Sequence, residues 1–224
     1  MSHTPYAVAT RSEPSILATN KVIRNTYILL SMTLLFSALT AGISIVFNLP
    51  YMGPLVTLGG YFALLYLTTK LSHSAWGIAA VFALTGFMGL TLGPMINAYL
   101  QYYSNGGQLV MTALGGTGVI FLGLSGYALT TRKDFSFMGG FLMVGILVAF
   151  LAGIGALIFS IPAMALAVSA MFILLMAGLI LYQTSEIIHG GETNYIMATV
   201  SLYISIYNLF TSLLHLLGAF SGED

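Results

Sequence analysis

The chain contains no cysteine among its 224 residues, and charged side chains make up only 5% of it. The absence of cysteine excludes disulfide bonds, thiolate metal ligands and cysteine nucleophiles. The shortage of charge excludes an ordinary soluble domain, in which about 25% of residues are charged. The formal net charge is zero, which argues against a nucleic-acid partner, because nucleic acids bind to a basic surface.

Hydrophobic residues make up 58% of the chain, and they are gathered into seven apolar stretches. A helix needs about 20 such residues to cross a bilayer, so we predict an all-α polytopic membrane protein, a bundle of seven transmembrane helices. No charged residue falls inside a stretch, as expected where each would cost about 2.5 to 3.5 kcal/mol at a helix centre. We expect the second stretch, which is short, to extend at both ends. The predicted spans are 26–48, 55–69, 76–97, 108–130, 136–159, 162–185 and 195–218.

The basic residues all fall on one side of the membrane if the chain crosses it seven times. The connections on the other side, 49–54, 98–107 and 160–161, carry no charge. Because Lys and Arg concentrate in cytoplasmic loops, we predict a cytoplasmic N-terminus and a C-terminus on the far side of the membrane. The six basic residues are Arg11, Lys21, Arg24, Lys70, Arg132 and Lys133.

The chain divides into two predicted regions. Residues 1–25 are polar and lack the apolar run of a cleavable signal peptide. Their Ser, Thr, Pro and Glu content is typical of a flexible segment, so we expect a cytoplasmic tail there. Residues 26–224 are expected to form one membrane domain.

Glycine and proline are unevenly distributed, with many of the 25 glycines in spans three to five. Gly89 and Gly93 are four residues apart in span three, a spacing that favours close helix packing, since small residues let two backbones approach. Pro94 lies inside the same span. We expect it to kink or to end the helix.

One sequence motif suggests catalysis. Ser125 lies in a Gly-Leu-Ser-Gly run that resembles the nucleophile motif of rhomboid intramembrane proteases, with His215 as its candidate base. At 1.5 Å per residue, Ser125 lies about 25 Å below the outer end of its span and His215 about 5 Å below the outer end of its own. A nucleophile and its base must approach to about 3 Å, so we reject this interpretation. The four histidines share no metal-ligand spacing, and we predict no catalytic site, metal or cofactor.

The last span carries a stripe of polar residues. Ser201, Ser205 and Asn208 follow one another at i, i+4 and i+7, which places them on one helix face. A polar face inside a membrane should point into the bundle, so we predict that this helix is central. Two interpretations of the stripe remain open: hydrogen bonding between helices, worth about 0.6 kcal/mol per contact, or a path for ions or protons.

Two segments resemble a known family signature. Residues 86–99 and 201–210 are similar to the signature of the Bax-inhibitor (transmembrane Bax inhibitor motif) family, and the resemblance runs from about residue 20 to the C-terminus. Segments 20–27, 129–134 and 188–195 resemble the bacterial YccA branch, whose members modulate the membrane protease FtsH. The helix-three part of the signature comprises Gly86, Gly89, Gly93 and Pro94.

The resemblance implies an architecture and a set of partners. The expected fold is a seven-helix bundle whose last helix is enclosed by the other six. The expected partners are the lipid bilayer, FtsH and the HflK–HflC proteins. The expected role is to restrain the degradation of membrane proteins such as SecY by FtsH.

Other members of this family are proton-sensitive calcium leaks that use a pair of aspartates. The positions that match that pair hold Gln183 and Ser205 here. An amide and a hydroxyl cannot share and release a proton as two carboxylates do, and neither attracts a hard dication. Glu186, one turn beyond Gln183, could replace one acid only in part. We therefore predict a non-enzymatic regulator of FtsH, with an ion leak as the alternative, and a polar site in the bundle interior made of Gln183, Glu186, Ser205 and Asn208.

Overall fold

The computed structural model describes residues 16–222, with side chains from Thr19 onward, and all regular structure in that range is helical. A short 3₁₀ turn, Ser136–Met138, precedes the fifth helix. Six of the seven α-helices, all except α2, are long and apolar enough to cross a membrane. The seven are α1 (Ile16–Val46), α2 (Gly53–Leu71), α3 (Trp76–Tyr102), α4 (Gly106–Thr131), α5 (Gly139–Ile158), α6 (Pro162–His189) and α7 (Tyr195–Ser221).

The helix boundaries differ from the predicted spans mainly where polar residues continue a helix beyond its apolar part. Helix α1 begins at Ile16, ten residues ahead of the predicted span, because residues 16–25 contain no proline or glycine to stop it. The rest of the predicted tail, residues 1–15, lies outside the described residues. Helix α2 has 19 residues and extends the predicted second span at both ends, as expected.

Pro94 does not end helix α3, which continues to Tyr102. Proline has no N–H, so the carbonyl of Leu90, four residues earlier, loses its helical hydrogen-bond donor. The Ser44 hydroxyl of α1 donates to that carbonyl at 2.9 Å. A side chain of the neighbouring helix therefore satisfies the group that the proline leaves free, as a membrane interior requires.

Helix α7 occupies the centre of the bundle. It packs against α1, α3, α4 and α6, and it is the most deeply buried of the six long apolar helices. Helix α2 packs chiefly on α3, and α5 chiefly on α6. Four helices thus pack directly on α7, and on its remaining side a groove separates it from α2 and α5.

The contact between α1 and α3 depends on small residues. A Cβ atom added to Gly89 would collide with Thr40 and with the backbone oxygen of Ser37, and one added to Gly93 would collide with Ser44. Close packing at these two glycines is confirmed. It does not explain Gly115, Gly118, Gly123 and Gly126 of α4, because a Cβ added to any of these four would meet open space.

Candidate functional site in the bundle

The two positions that match the acidic pair of the calcium leaks lie in contact. Ser205 is fully buried on α7, and Gln183 is half-buried on α6. The Ser205 hydroxyl donates to Gln183 Oε1 at 3.0 Å, and it also lies 3.0 Å from the backbone oxygen of Ser201. The pair joins the two helices through neutral groups. It can hold the helices in register, but it offers no carboxylate to a cation.

Glu186 does not join this pair. It is half-buried in the last turn of α6, and its carboxylate lies against the position of Gly191. Its backbone oxygen accepts hydrogen bonds from the N–H groups of Gly191 and Glu192, at 2.8 and 3.1 Å. Gly190 between them has a φ of 76°, a left-handed conformation that favours glycine and ends the helix. Glu186 therefore belongs to a helix C-cap.

Asn208 also lies apart from the buried pair. Its side-chain amide donates to the backbone oxygen of Ile204, one turn earlier, at 2.8 Å. Its side chain lines the groove between α2 and α5. Asn208 is half-buried there, and it shares no hydrogen bond with the pair of Gln183 and Ser205.

Ser125 and His215 do not form the pair that a rhomboid-type mechanism requires. Ser125 is buried, and its hydroxyl lies 3.3 Å from the hydroxyl of Thr184 on α6. His215 Nδ1 lies 2.7 Å from the hydroxyl of Ser169. Thr184 and Ser169 are 15 positions apart on α6, or about 22 Å at 1.5 Å per residue, so their partners Ser125 and His215 lie far from each other. Tyr27 of α1 extends the Thr184 contact, at 3.3 Å, so hydroxyl groups link three helices here.

Tyr203 is the central residue that the sequence reasoning missed. It is almost fully buried on α7, and its hydroxyl donates to the backbone oxygen of Thr85 on α3 at 3.3 Å. The hydroxyl of Ser37 on α1 lies 2.6 Å away. The sequence does carry a signal for this role: a buried tyrosine hydroxyl usually finds a hydrogen-bond partner, and Tyr203 lies inside an apolar span.

Asn194 organises the start of α7. Its side-chain oxygen accepts from the N–H groups of Ile196 and Met197, at 2.9 and 3.3 Å, which is an N-cap. Its side-chain amide donates to the backbone oxygen of Ser72 at 3.0 Å. The segment 188–195 is therefore a capped connection that ties α7 to the loop between α2 and α3.

No group of three or more His, Asp or Glu side chains within residues 16–222 is placed to hold a metal ion. Most side chains that hydrogen-bond between helices carry hydroxyl or amide groups, and the contact of His215 with Ser169 adds an imidazole.

A family model described as inhibitor of apoptosis-promoting Bax1 matches residues 19–222. The chain is 52% identical over 210 residues to a protein of Escherichia coli (strain K12) named modulator of FtsH protease YccA, and the alignment covers 94% of each chain. It is equally similar to a protein of Escherichia coli O6:H1 named inner membrane protein YccA. It is 42% identical to a membrane protein of Vibrio cholerae, over 99% of this chain and 100% of that one.

Proposed function

The chain belongs to the Bax inhibitor family, and on that premise we propose that it is a regulator of the FtsH protease embedded in the bacterial inner membrane. The observation that carries this proposal is the 52% identity to the relative named as an FtsH modulator, spread over 94% of both chains. An identity that extends over the whole membrane bundle favours a shared role for the bundle. The regulator binds FtsH with HflK–HflC and restrains the degradation of membrane proteins.

Part of this proposal is that all seven helices cross the membrane. Helix α2 is the shortest, and Lys70 in its last turn lies over the ring of Tyr66, with its ammonium nitrogen 4.9 Å from the ring centre. Such a lysine can extend along its helix to the interface. Seven crossings put Lys70, Arg132 and Lys133 in the cytoplasm with the N-terminus, and they put the C-terminus in the periplasm. A reporter fused after Asp224 tests this arrangement, and a cytoplasmic signal there would contradict it.

The neutral contact between Gln183 and Ser205 supports a regulator over a calcium leak. Their 3.0 Å hydrogen bond occupies the place where the leak-forming relatives would bring two carboxylates together. Without a carboxylate, the pair neither titrates near neutral pH nor attracts a dication. Glu186, which could have supplied one acid, lies in the helix C-cap.

Copurification tests the proposed partnership. The tagged chain is extracted with mild detergent from membranes of cells that express FtsH at its natural level, and the bound proteins are identified by mass spectrometry. We expect FtsH, HflK and HflC to be recovered in stoichiometric amounts. An unrelated polytopic membrane protein with the same tag and expression level is the control. Recovery of none of the three above that control would contradict the proposal.

An aspartate variant tests the alternative function. Replacing both residues (Gln183→Asp with Ser205→Asp) creates two carboxyl groups within hydrogen-bonding distance, so that they share a proton and one pKa rises. We expect liposomes with the double variant to release calcium in a pH-dependent way, while the unmodified chain and either single variant release little. A clear pH-dependent calcium flux through the unmodified chain would make the ion leak the leading function.

A further inference from the structure

A groove of about 460 Å³ opens on the side of the bundle where α2 and α5 lie. Helices α3, α6 and α7 form its floor, and α2 and α5 form its walls. Phe172 on its floor lies ten residues after Pro162, where α6 begins, and Leu179 lies ten residues before His189, where α6 ends. The groove is therefore at mid-depth in the membrane.

The lining of this groove is mainly apolar, because twelve of its seventeen residues carry no polar side-chain atom. Two of the polar side chains bond within their own helices: Thr91 donates to the backbone oxygen of Met88 at 2.8 Å, and the Asn208 amide donates to that of Ile204 at 2.8 Å. The Tyr207 hydroxyl lies 3.4 Å from the Thr91 hydroxyl. A bound water needs two to four polar partners, and the apolar side chains outnumber the groups that could supply them. Hydrocarbon is the medium that fits the groove.

Residue size distinguishes the two apolar occupants that the membrane offers, an acyl chain and a partner's helix. Helices pack against one another through small residues, as Gly89 and Gly93 do here. Of the small residues through which membrane helices pack, the groove has only Thr57 and Thr91 and no glycine, alanine or serine in its lining, all of which belongs to the described part of the chain. The lining also contains phenylalanines and three methionines, Met88, Met143 and Met176. Methionine side chains are flexible and adapt to irregular shapes. Large side chains of this kind prevent the close approach of a second helix backbone, but they can adapt their conformations to a flexible acyl chain.

We propose that this groove binds a single phospholipid acyl chain, which enters from the bilayer between α2 and α5 and contacts α7. The site is separate from the buried pair of Gln183 and Ser205. The inference stands on the shape and chemistry of the groove and does not depend on the proposed role toward FtsH.

The single tryptophan of the chain makes a direct test possible. The Trp76→Phe substitution first removes this tryptophan. One new tryptophan is then introduced on α6, either in the groove (Phe172→Trp) or two residues further along, on the lipid-facing surface (Leu174→Trp). Leu174 is 75% exposed. Each variant is placed in vesicles of phosphatidylethanolamine and phosphatidylglycerol in which an increasing fraction of the lipid carries dibrominated acyl chains. Bromine quenches tryptophan fluorescence on contact.

A single bound chain gives a distinctive quenching curve. We expect the fluorescence of the Phe172→Trp variant to fall linearly with the brominated fraction, because one chain contacts the ring. The Leu174→Trp variant should lose fluorescence more steeply at low fractions, because several chains contact it. Identical curves would mean that the groove is ordinary lipid-facing surface, and no quenching in the groove would mean that it is closed. Loss of quenching when FtsH is added would identify a helix as the occupant. Each of these three results would overturn the proposal.

The unmodified protein supplies a second measurement that needs no fluorescent variant. Native mass spectrometry after detergent purification counts the phospholipids that remain bound, and we expect one for each chain. Filling the groove from α5 with Ile146→Trp should remove that lipid, whereas Leu151→Trp, on the lipid-facing side of the same helix, should keep it. Absence of retained lipid on the unmodified chain, or equal retention by the two variants, would contradict a specific site.

Discussion

The two faces of α7 are built in opposite ways. Toward α1 and α3, the bundle uses small residues such as Gly89, together with the buried hydroxyl of Tyr203. Toward α2 and α5, it uses large flexible side chains around a groove that Asn208 and Tyr207 reach. Both faces lie at the same depth, so the polarity of the surroundings does not distinguish them. Residue size does: small residues bring α1 and α3 together, and large side chains line the groove.

Replacing glycine on the tight side should give the largest effect on stability. In Gly89→Ala the new methyl group would collide with Thr40 and with the backbone oxygen of Ser37. We expect a loss of about 2 kcal/mol or more in the free energy of unfolding, as for other overpacked sites. Gly115→Ala on α4 is the matched control, because its methyl group meets open space, and it should be neutral or slightly stabilising. Unfolding in mixed micelles measures both. Equal losses would mean that the α1–α3 contact is not especially tight.

The two tyrosines of α7 test the same contrast through hydrogen bonds. Tyr203→Phe removes the hydroxyl that donates to the backbone oxygen of Thr85 and contacts the Ser37 hydroxyl. We expect it to lower the free energy of unfolding by about 1 kcal/mol. Tyr207→Phe removes only a 3.4 Å contact with Thr91 at the groove, so it should cost less than about 0.5 kcal/mol. The two unfolding free energies are compared directly. A larger loss of unfolding free energy for Tyr207→Phe would mean that the stronger hydrogen bond lies on the groove side of α7, which contradicts this account.

How far the fold follows from the sequence can be seen at individual residues. The apolar stretches predicted the helices, and the spacing of Gly89 and Gly93 predicted a close contact, because both signals are local. The partner of that contact is α1, which no local pattern identifies. The surroundings of Asn208 show the same limit, because its helix face can be predicted but the groove beside it cannot. The packing of α2 on α3 and of α5 on α6 determines that groove.

The candidate site shows the same limit. The resemblance singled out Gln183 and Ser205, and the structure places them 3.0 Å apart. The role of Tyr203 depends on Ser37 and Thr85, on two other helices, so a list of polar residues within α7 could not reveal it. Pro94 was expected to disturb α3, yet the compensating hydroxyl comes from Ser44, 50 positions earlier in the printed sequence.

A smaller effect should appear as coupling between Ser44 and Pro94. Ser44→Ala leaves the Leu90 carbonyl without a donor, and we expect it to cost about 0.6 kcal/mol, a typical hydrogen bond between membrane helices. In a Pro94→Ala background the alanine N–H can bond the Leu90 carbonyl within the helix. The cost of Ser44→Ala should then nearly vanish. Equal costs in the two backgrounds would show that the serine does not compensate for the proline.

The rate at which FtsH degrades a membrane protein tests the central claim of this account most directly. FtsH with HflK–HflC is reconstituted in liposomes with a membrane substrate such as SecY, in the presence or absence of the purified chain at equal molar amount. We predict that the chain lengthens the half-life of the substrate severalfold, and that an unrelated polytopic membrane protein at the same molar amount leaves that half-life unchanged. An unchanged half-life in the presence of the chain would contradict its assignment as a regulator of FtsH.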